Sequence, residues 1–361
     1  MTGILLVTGG AGFIGSRVVQ AARREGWRVR VLDSFRRDVH GDAIPVLPDD
    51  VEVVRGDVAD RGAVDAALDG VDAVCHLAAK VGLGVDFSDA PDYAASNVLA
   101  TAQLLAAMAA TEVRRLVLAS SMVVYGEGAY RDSHGRVAAP PRAVADLRRG
   151  EFEPRSPRTG EPLIPDLVRE DDAVDPRNVY ALTKLAQEHL ATAWARETGG
   201  RAAMLRYHNV YGPGMPRDTP YAGVAALFRS RLEAGLAPLV FEDGCQRRDF
   251  VHVDDVASAT VAAVGWTARV TGGEGPASRA FNVASGEVRT IGELAAAIAA
   301  ARGGPAPITT GDFRLGDIRH VTASADRIRA ELGWRPRVAF ADGVRRFALE
   351  PMRDAAAVPV P

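Results

Sequence analysis

"VTGGAGFIGS", residues Val7 to Ser16, decides how the rest of the chain is read. Gly10, Gly12 and Gly15 stand at G-x-G-x-x-G spacing. The short apolar run "ILLVTG" leads into them and the amphipathic run "SRVVQAARREG" follows. The glycines therefore join a strand to a helix, which is the context that gives the motif its meaning. Glycine there permits a tight turn and lets the backbone approach a pyrophosphate closely. The helix N-terminus offers free N–H groups and positive dipole character.

Outward from the loop, "VRVLDS", "VEVVRGD", "DAVCHLAA" and "RLVLASS" are again short, apolar and rich in β-branched residues, and helical patterns such as "RGAVDAALDG" separate them. This alternation predicts an α/β fold, a doubly wound parallel sheet with helices on both faces. The second strand ends at Asp33, eighteen residues beyond Gly15. An acid there hydrogen-bonds an adenosine ribose and repels a ribose phosphate, which favours NAD over NADP. Arg36 and Arg37 are the cations that could reach such a phosphate. Asp57 and Val58 fall where a side chain and a backbone can meet the adenine. Ala78, Ala79 and Lys80 fall at the carboxyl edge of the sheet, where ligands of open α/β sheets bind. Lys80 reads either as a site residue or as a solvated surface charge.

The 361 residues suffice for two domains. With 47% hydrophobic residues, 25% charged and a net charge of −3, nothing points to nucleic acid or an anionic membrane as partner. The apolar runs are too short to span a bilayer, and the N-terminus runs straight into "GILLVTGG", so a cytoplasmic protein is expected. Two cysteines, Cys75 and Cys245, permit no zinc or iron–sulfur spacing, and no metal is expected. Cys75 sits in an apolar run and reads as a buried thiol. From Gly126 to Asp175 the periodicity fails in a Pro-, Arg- and acid-rich stretch, either a functional excursion or a partly disordered one.

"NVYALTKLAQEHL", Asn178 to Leu190, reads as a helix. Lys184 within it is one of only two lysines among 43 basic residues. Tyr180 precedes it by four, so the two share a helix face. A nearby ammonium favours a phenolate, and so does an oxidised nicotinamide. Tyr180 can then act as general base towards a sugar hydroxyl. A compact ammonium also suits ribose hydroxyls better than a guanidinium fork. Ser120 and Ser121 end the strand "RLVLASS" at the same edge, where a hydroxyl can share the proton.

Taken in order, "TGGAGFIGS", Asp33, "HLAA", Asn97, "SSMVVYG", "YALTK", "RYHNVYGPG", "RRDFVHVDDV" and "GDIRH" resemble the extended short-chain dehydrogenases/reductases that act on nucleotide sugars. The resemblance covers nearly the whole chain. It implies a Rossmann domain over 1–205, interrupted at about 127–175. A smaller mixed α/β nucleotide-sugar domain over 206–361 follows, with about 250–285 returning to the first. It implies Tyr180, Lys184 and Ser121 as the catalytic set. Its implied NAD shell is Gly9, Gly12, Phe13, Ile14, Gly15, Asp33, Asp57, Val58, Leu77, Ala78, Ala79, Lys80, Asn97, Ser120, Tyr180, Lys184 and Tyr207. Arg248 and Arg314 would clamp a substrate diphosphate, Asn209 would add an amide, and Asp317 would meet a nucleotide ribose or the site's edge. As bare residues, each Arg could instead form a surface salt bridge and Asn209 could cap a turn.

Family 4,6-dehydratases carry Asp-Glu after the hydroxyl residue of "SMVVYG", and related decarboxylases keep the Glu. Here those positions are Met122 and Val123, which transfer no proton. This leaves a 4-epimerase, which must retain its NAD, or an NAD(P)H-dependent 4-ketoreductase. Asp33 favours the epimerase, on a dTDP- or UDP-hexose. Parts of the chain look like dTDP-L-rhamnose 4-epimerases, whose insertion often carries C-P-x-C-G; here Arg155 to Gly160 read "RSPRTG". His76, His208 and His252 read as packing residues. A homodimer through two long helices, about Ala94–Ala110 and Asn178–Thr198, is expected by analogy. A non-catalytic dinucleotide sensor is the reading from another class, and the intact Tyr, Lys and Ser argue against it.

Overall fold

The computed structural model describes residues 3–41, 45–82, 86–217, 223–269 and 276–353. Seven parallel strands make the central sheet: β1 (Ile4–Thr8), β2 (Arg28–Asp33), β3 (Glu52–Arg55), β4 (Ala73–His76), β5 (Arg115–Ser121), β6 (Arg201–Tyr207) and β7 (Ser278–Val283). Their spatial order is β7-β6-β5-β4-β1-β2-β3. The direction of winding reverses between β1 and β4. That opens a crevice at the carboxyl ends of these two strands, where ligands of such sheets lie. The fold class and its Rossmann topology are those expected from the sequence.

β1 is buried on both faces, which is why its sequence is apolar without alternation. Leu5 and Val7 point to one side, into a cluster with Val18, Val19 and Val256 from the Phe13–Arg24 and Val253–Ala268 helices. Leu6 points to the other side, towards Val64, Leu104 and Trp194 from the Arg61–Leu68, Ala100–Ala109 and Val179–Thr198 helices. Each such leucine contributes about 1.5–3 kcal/mol by leaving water. Cys75 is buried in β4, and burial pushes its thiol up to about 12.

Beyond β6 the chain builds a second apolar cluster between the Val224–Glu233, Ile291–Arg302 and Phe340–Leu349 helices, with Phe228, Ile298 and Phe347 at its centre. A small sheet of Asn209–Tyr211, Arg247–His252 and Val288–Thr290 joins it to the main body. Between them the Val253–Ala268 helix and β7 return to the central sheet, β7 pairing with β6 through Phe281 and Leu205.

The aperiodic stretch after Gly126 is ordered. Ala129–Asp132, Gly135–Val137 and Ile164–Asp166 form a three-stranded antiparallel sheet around Tyr130, Ala139 and Leu163. So small an apolar cluster leaves polar contacts to hold the turns. In "RSPRTG" the Ser156 hydroxyl donates to Asp132 at 2.7 Å and accepts from the amides of Arg158 and Thr159, while the Arg158 guanidinium grips the same carboxylate at 2.7 Å. One buried carboxylate thus organises this turn. Among the described residues no helix is long and apolar enough to cross a membrane.

Candidate active site

A cavity of about 470 Å³ opens at the β1/β4 crevice. Its floor is the glycine loop. Gly9 adopts a left-handed φ of +68°, and a Cβ on Gly15 would lie 2.1 Å from the Gly9 carbonyl oxygen, so neither position tolerates a side chain. The Phe13–Arg24 helix begins at Gly12, with no capping side chain and no acid in its first turn. Its first amides and dipole are therefore free to meet an anion. Gly9, Gly12, Phe13, Ile14 and Gly15 all line the cavity.

Asp33 closes one end. Its carboxylate accepts from the Ala11 amide at 3.0 Å and the Phe35 amide at 2.9 Å. Burial opposes its charge, but His40 and these two amides hold the carboxyl below its ordinary range. Asp33 is thus a fixed anion beside the loop, fit for ribose hydroxyls and hostile to a ribose phosphate. Arg36 is drawn to Asp92 at 3.2 Å. Asp57 and Val58 line the same end, and Leu77, Ala78, Ala79 and Lys80 form the opposite wall. Lys80 is no solvated surface charge: its ammonium pairs with Asp92 at 2.8 Å and Asp89 at 3.2 Å, over the Tyr93 ring. These residues fit NAD.

Asn97 requires a correction. It lies in a π-helical turn, Ala94–Leu99, and is completely buried behind the wall. Its side chain accepts from the Lys80 amide at 2.8 Å and donates to the Lys80 carbonyl at 3.0 Å and to Thr183 at 2.9 Å. With both ends of the amide spent, Asn97 positions Lys80 and does not line the cavity.

Ser120, Ser121, Tyr180, Lys184 and Tyr207 meet at the other end. Asn178 caps the Val179–Thr198 helix through the Ala181 amide at 2.8 Å, which sets Tyr180 in the first turn. The phenol ring packs against Tyr93. One turn on, the Lys184 ammonium lies 6.0 Å from the Tyr180 ring centroid and donates to the Ala119 carbonyl at 2.8 Å. Burial pushes Lys184 down to about 7, with Glu188 pulling the other way. Burial pushes Tyr180 up to about 12, and Ser121 pulls it down. The lowered tyrosine expected from the sequence is therefore not a property of the chain alone.

Ser121 caps the short Met122–Tyr125 turn and accepts from the Val123 amide at 3.4 Å. Met122 lines the cavity and Val123 does not. His208 lines it too, but burial pushes its imidazole down to about 3, as it does that of His76, so both are neutral. His252 caps the Val253–Ala268 helix.

Of the expected substrate contacts, Asn209 joins the cavity wall and donates to the Asp249 carbonyl at 3.3 Å. Arg248, Arg314 and Asp317 do not line it. Arg248 donates to the carbonyls of Ile318 at 2.7 Å, Arg319 at 3.0 Å and Arg247 at 2.8 Å. Arg314 stacks over Phe241, and the Asp317 carbonyl accepts from Arg142 at 2.8 Å. Backbone carbonyls thus hold the Arg248 guanidinium, while that of Arg314 lies over an aromatic face. The sequence reading missed Met215, Pro216 and Arg353, which line the cavity, and Glu188, which stands behind it. Only Glu188 left a signal: an acid one helical turn beyond Lys184.

Residues 5–284 match a family described as the NAD dependent epimerase/dehydratase family. The chain is 38% identical to a dTDP-L-rhamnose 4-epimerase of Burkholderia thailandensis over 351 residues, 94% of this chain and 92% of that one. Among solved structures it resembles the UDP-glucose 4-epimerase of Thermus thermophilus in complex with NAD. That likeness has a TM-score of 0.71 at 32% identity, over 96% of this chain and 97% of that one. It also resembles MoeE5 in complex with UDP-glucuronic acid and NAD, with a TM-score of 0.73 at 30% identity, over 96% and 98%.

Proposed function

The chain belongs to the NAD dependent epimerase/dehydratase family, and on that premise we propose that it is an NAD-dependent nucleotide-sugar 4-epimerase acting on a dTDP- or UDP-hexose. The Burkholderia relative favours a sugar of the dTDP-L-rhamnose type. The observation that carries the reading is the reactive wall itself. Ser121, Tyr180 and Lys184 share one end of the cavity with Met122, where an eliminating enzyme needs an acid.

Bound NAD supplies a reversible two-electron acceptor for carbon 4 of the sugar. The chain's part is to move one proton and hold the ring. Tyr180, as phenolate, takes the proton of the 4-hydroxyl and later returns it, so the proton balance over a turnover is zero. Ser121 shares that proton through its hydroxyl. Lys184, anchored on the Ala119 carbonyl, stabilises the phenolate. In the free chain burial pushes the phenol up to about 12, and the positive charge of a bound oxidised nicotinamide would favour the phenolate. Met122, with no proton to transfer, stops the chemistry at inversion.

We further propose that the enzyme works as a cytoplasmic homodimer. What supports the dimer is Leu99 and Leu182, 53% and 57% exposed on the two helices that would meet. Mass measurement in solution checks it. The function is tested by incubating protein, with no cofactor added, with a panel of dTDP- and UDP-sugars and following inversion at carbon 4 by NMR. Inversion supports the reading. No inversion, with NADPH-dependent consumption of a 4-keto sugar, replaces it with a ketoreductase.

A further inference from the structure

The end of the described chain runs back over the glycine loop. The Gly214 amide donates to the Pro351 carbonyl at 3.0 Å, the Arg353 amide to the Met215 carbonyl at 3.1 Å, and the Arg217 amide to the Arg353 carbonyl at 3.0 Å. Pro216 and Arg353 form a parallel bridge. Met352 is buried in the apolar cluster of the second domain, so strand alternation turns Arg353 the other way, into the cavity wall. There its Nη1 donates to the Ala11 carbonyl at 3.0 Å, within the glycine loop itself.

The cations of the cavity are not equivalent. Lys80 and Arg36 are paired with Asp92, and Lys184 is bound to its carbonyl beside the reactive phenol. The Arg353 side chain has one hydrogen-bond acceptor among the described residues, a neutral carbonyl, and no ion-pair partner among them. Burial disfavours its charge, and the nearest counterweight is the field of Asp33. A guanidinium keeps its proton, so a half-buried one with spare donors facing a cavity is poised for an anion that enters there. The anion that lies on a glycine loop and a free helix N-terminus is the diphosphate of a dinucleotide. Arg presents it with a fork of N–H groups.

We propose that Arg353 is a cofactor-binding residue whose guanidinium, delivered by the 351–353 segment, pairs with the diphosphate of the bound dinucleotide and holds it against the glycine loop. The inference rests on the NAD reading and deepens it. An epimerase must keep its cofactor through every turnover, and a segment distant in sequence that ties down the diphosphate slows its escape.

The test compares wild type with Arg353→Gln and Arg353→Lys. Bound NAD per chain is measured after acid release, the rate of NAD loss is followed during dialysis, and melting temperature is recorded for each protein. The Gln variant is expected to lose NAD on the order of tenfold faster or more, the scale of a charge-assisted hydrogen bond, with Lys in between. On NAD-stripped protein, ADP-ribose, which keeps the diphosphate, should weaken by a similar factor, while adenosine should bind unchanged. Equal NAD retention in the Gln variant overturns the proposal. So does an equal loss of adenosine affinity, which would place Arg353 on the ribose or the base. If wild type carries no NAD and binds none, the NAD reading falls and this inference falls with it.

Discussion

The Ser120 hydroxyl donates to Glu188 Oε1 at 2.5 Å, so although both serines that end β5 line the cavity, the hydroxyl proton of Ser120 is already committed. Their roles should separate on substitution. Ser121→Ala is expected to lower kcat by roughly 10²-fold, the lower range for losing a proton-transfer partner, with the fold intact. Ser120→Ala should leave kcat within a few-fold and reduce stability by about 1 kcal/mol, the worth of a hydrogen bond. Steady-state kinetics and urea unfolding of both variants decide it. A Ser120→Ala loss in kcat as large as that of Ser121→Ala would reverse the assignment.

Behind Ser120, Glu188 is held by Arg206 through two bonds, 2.9 Å from Nε and 2.8 Å from Nη2, both side chains being buried. A buried pair gains little over apolar packing, yet half of it is costly to leave behind. Arg206→Met should therefore destabilise the protein by about 3–5 kcal/mol by stranding the Glu188 carboxylate. The double variant Glu188→Leu, Arg206→Met should cost less than the sum of the singles. Chemical denaturation of the three variants is the check, and simple additivity would refute the coupling.

Much of this was legible in the sequence because the signals are local. The strands are short apolar runs, and the glycine loop, Asp33 and the Tyr180/Lys184 pair lie within one or two turns of a regular element. What stayed hidden depends on distance or on an interrupted period. Arg353 meets Ala11 across 342 positions, and nothing near Pro351 announces it. Asn97 sits in a π-helical turn, where the wider helix spoils the usual assignment of faces. The sheet after Gly126 buries only Tyr130, Ala139 and Leu163, too few to leave a hydrophobic period. Arg248 lies within the Arg247–His252 strand, but local pattern says nothing of the carbonyls that occupy its guanidinium.

Asp33 should decide which dinucleotide the site accepts. Its carboxylate both anchors the loop, through the Ala11 amide, and presents negative charge beside the ribose position. Asp33→Asn keeps the shape and removes the charge. The ratio of NAD to NADP affinity should fall on the order of tenfold, mostly through tighter NADP, since a repelling anion is gone. Titration of NAD-stripped protein with each nucleotide measures the ratio, and an unchanged ratio would show that the discrimination lies elsewhere.

Lys184 makes stability depend on pH with a definite sign. Burial lowers it in the folded chain to about 7, from an ordinary 10.5. Between those values the unfolded chain binds a proton that the folded chain does not, so stability rises with pH across this window. Below about 7 both states are protonated, and the folded state carries the full penalty of a buried ammonium. Lys184→Met removes the group. In NAD-stripped protein the variant should be more stable than wild type near pH 7, and its advantage should shrink steadily towards pH 10. The comparison uses urea midpoints for the two proteins in the same buffers, so that other titrating groups cancel. A difference that stays flat over this range would mean that Lys184 keeps an ordinary pKa in the folded chain, and that its pairing with Tyr180 does not depend on burial.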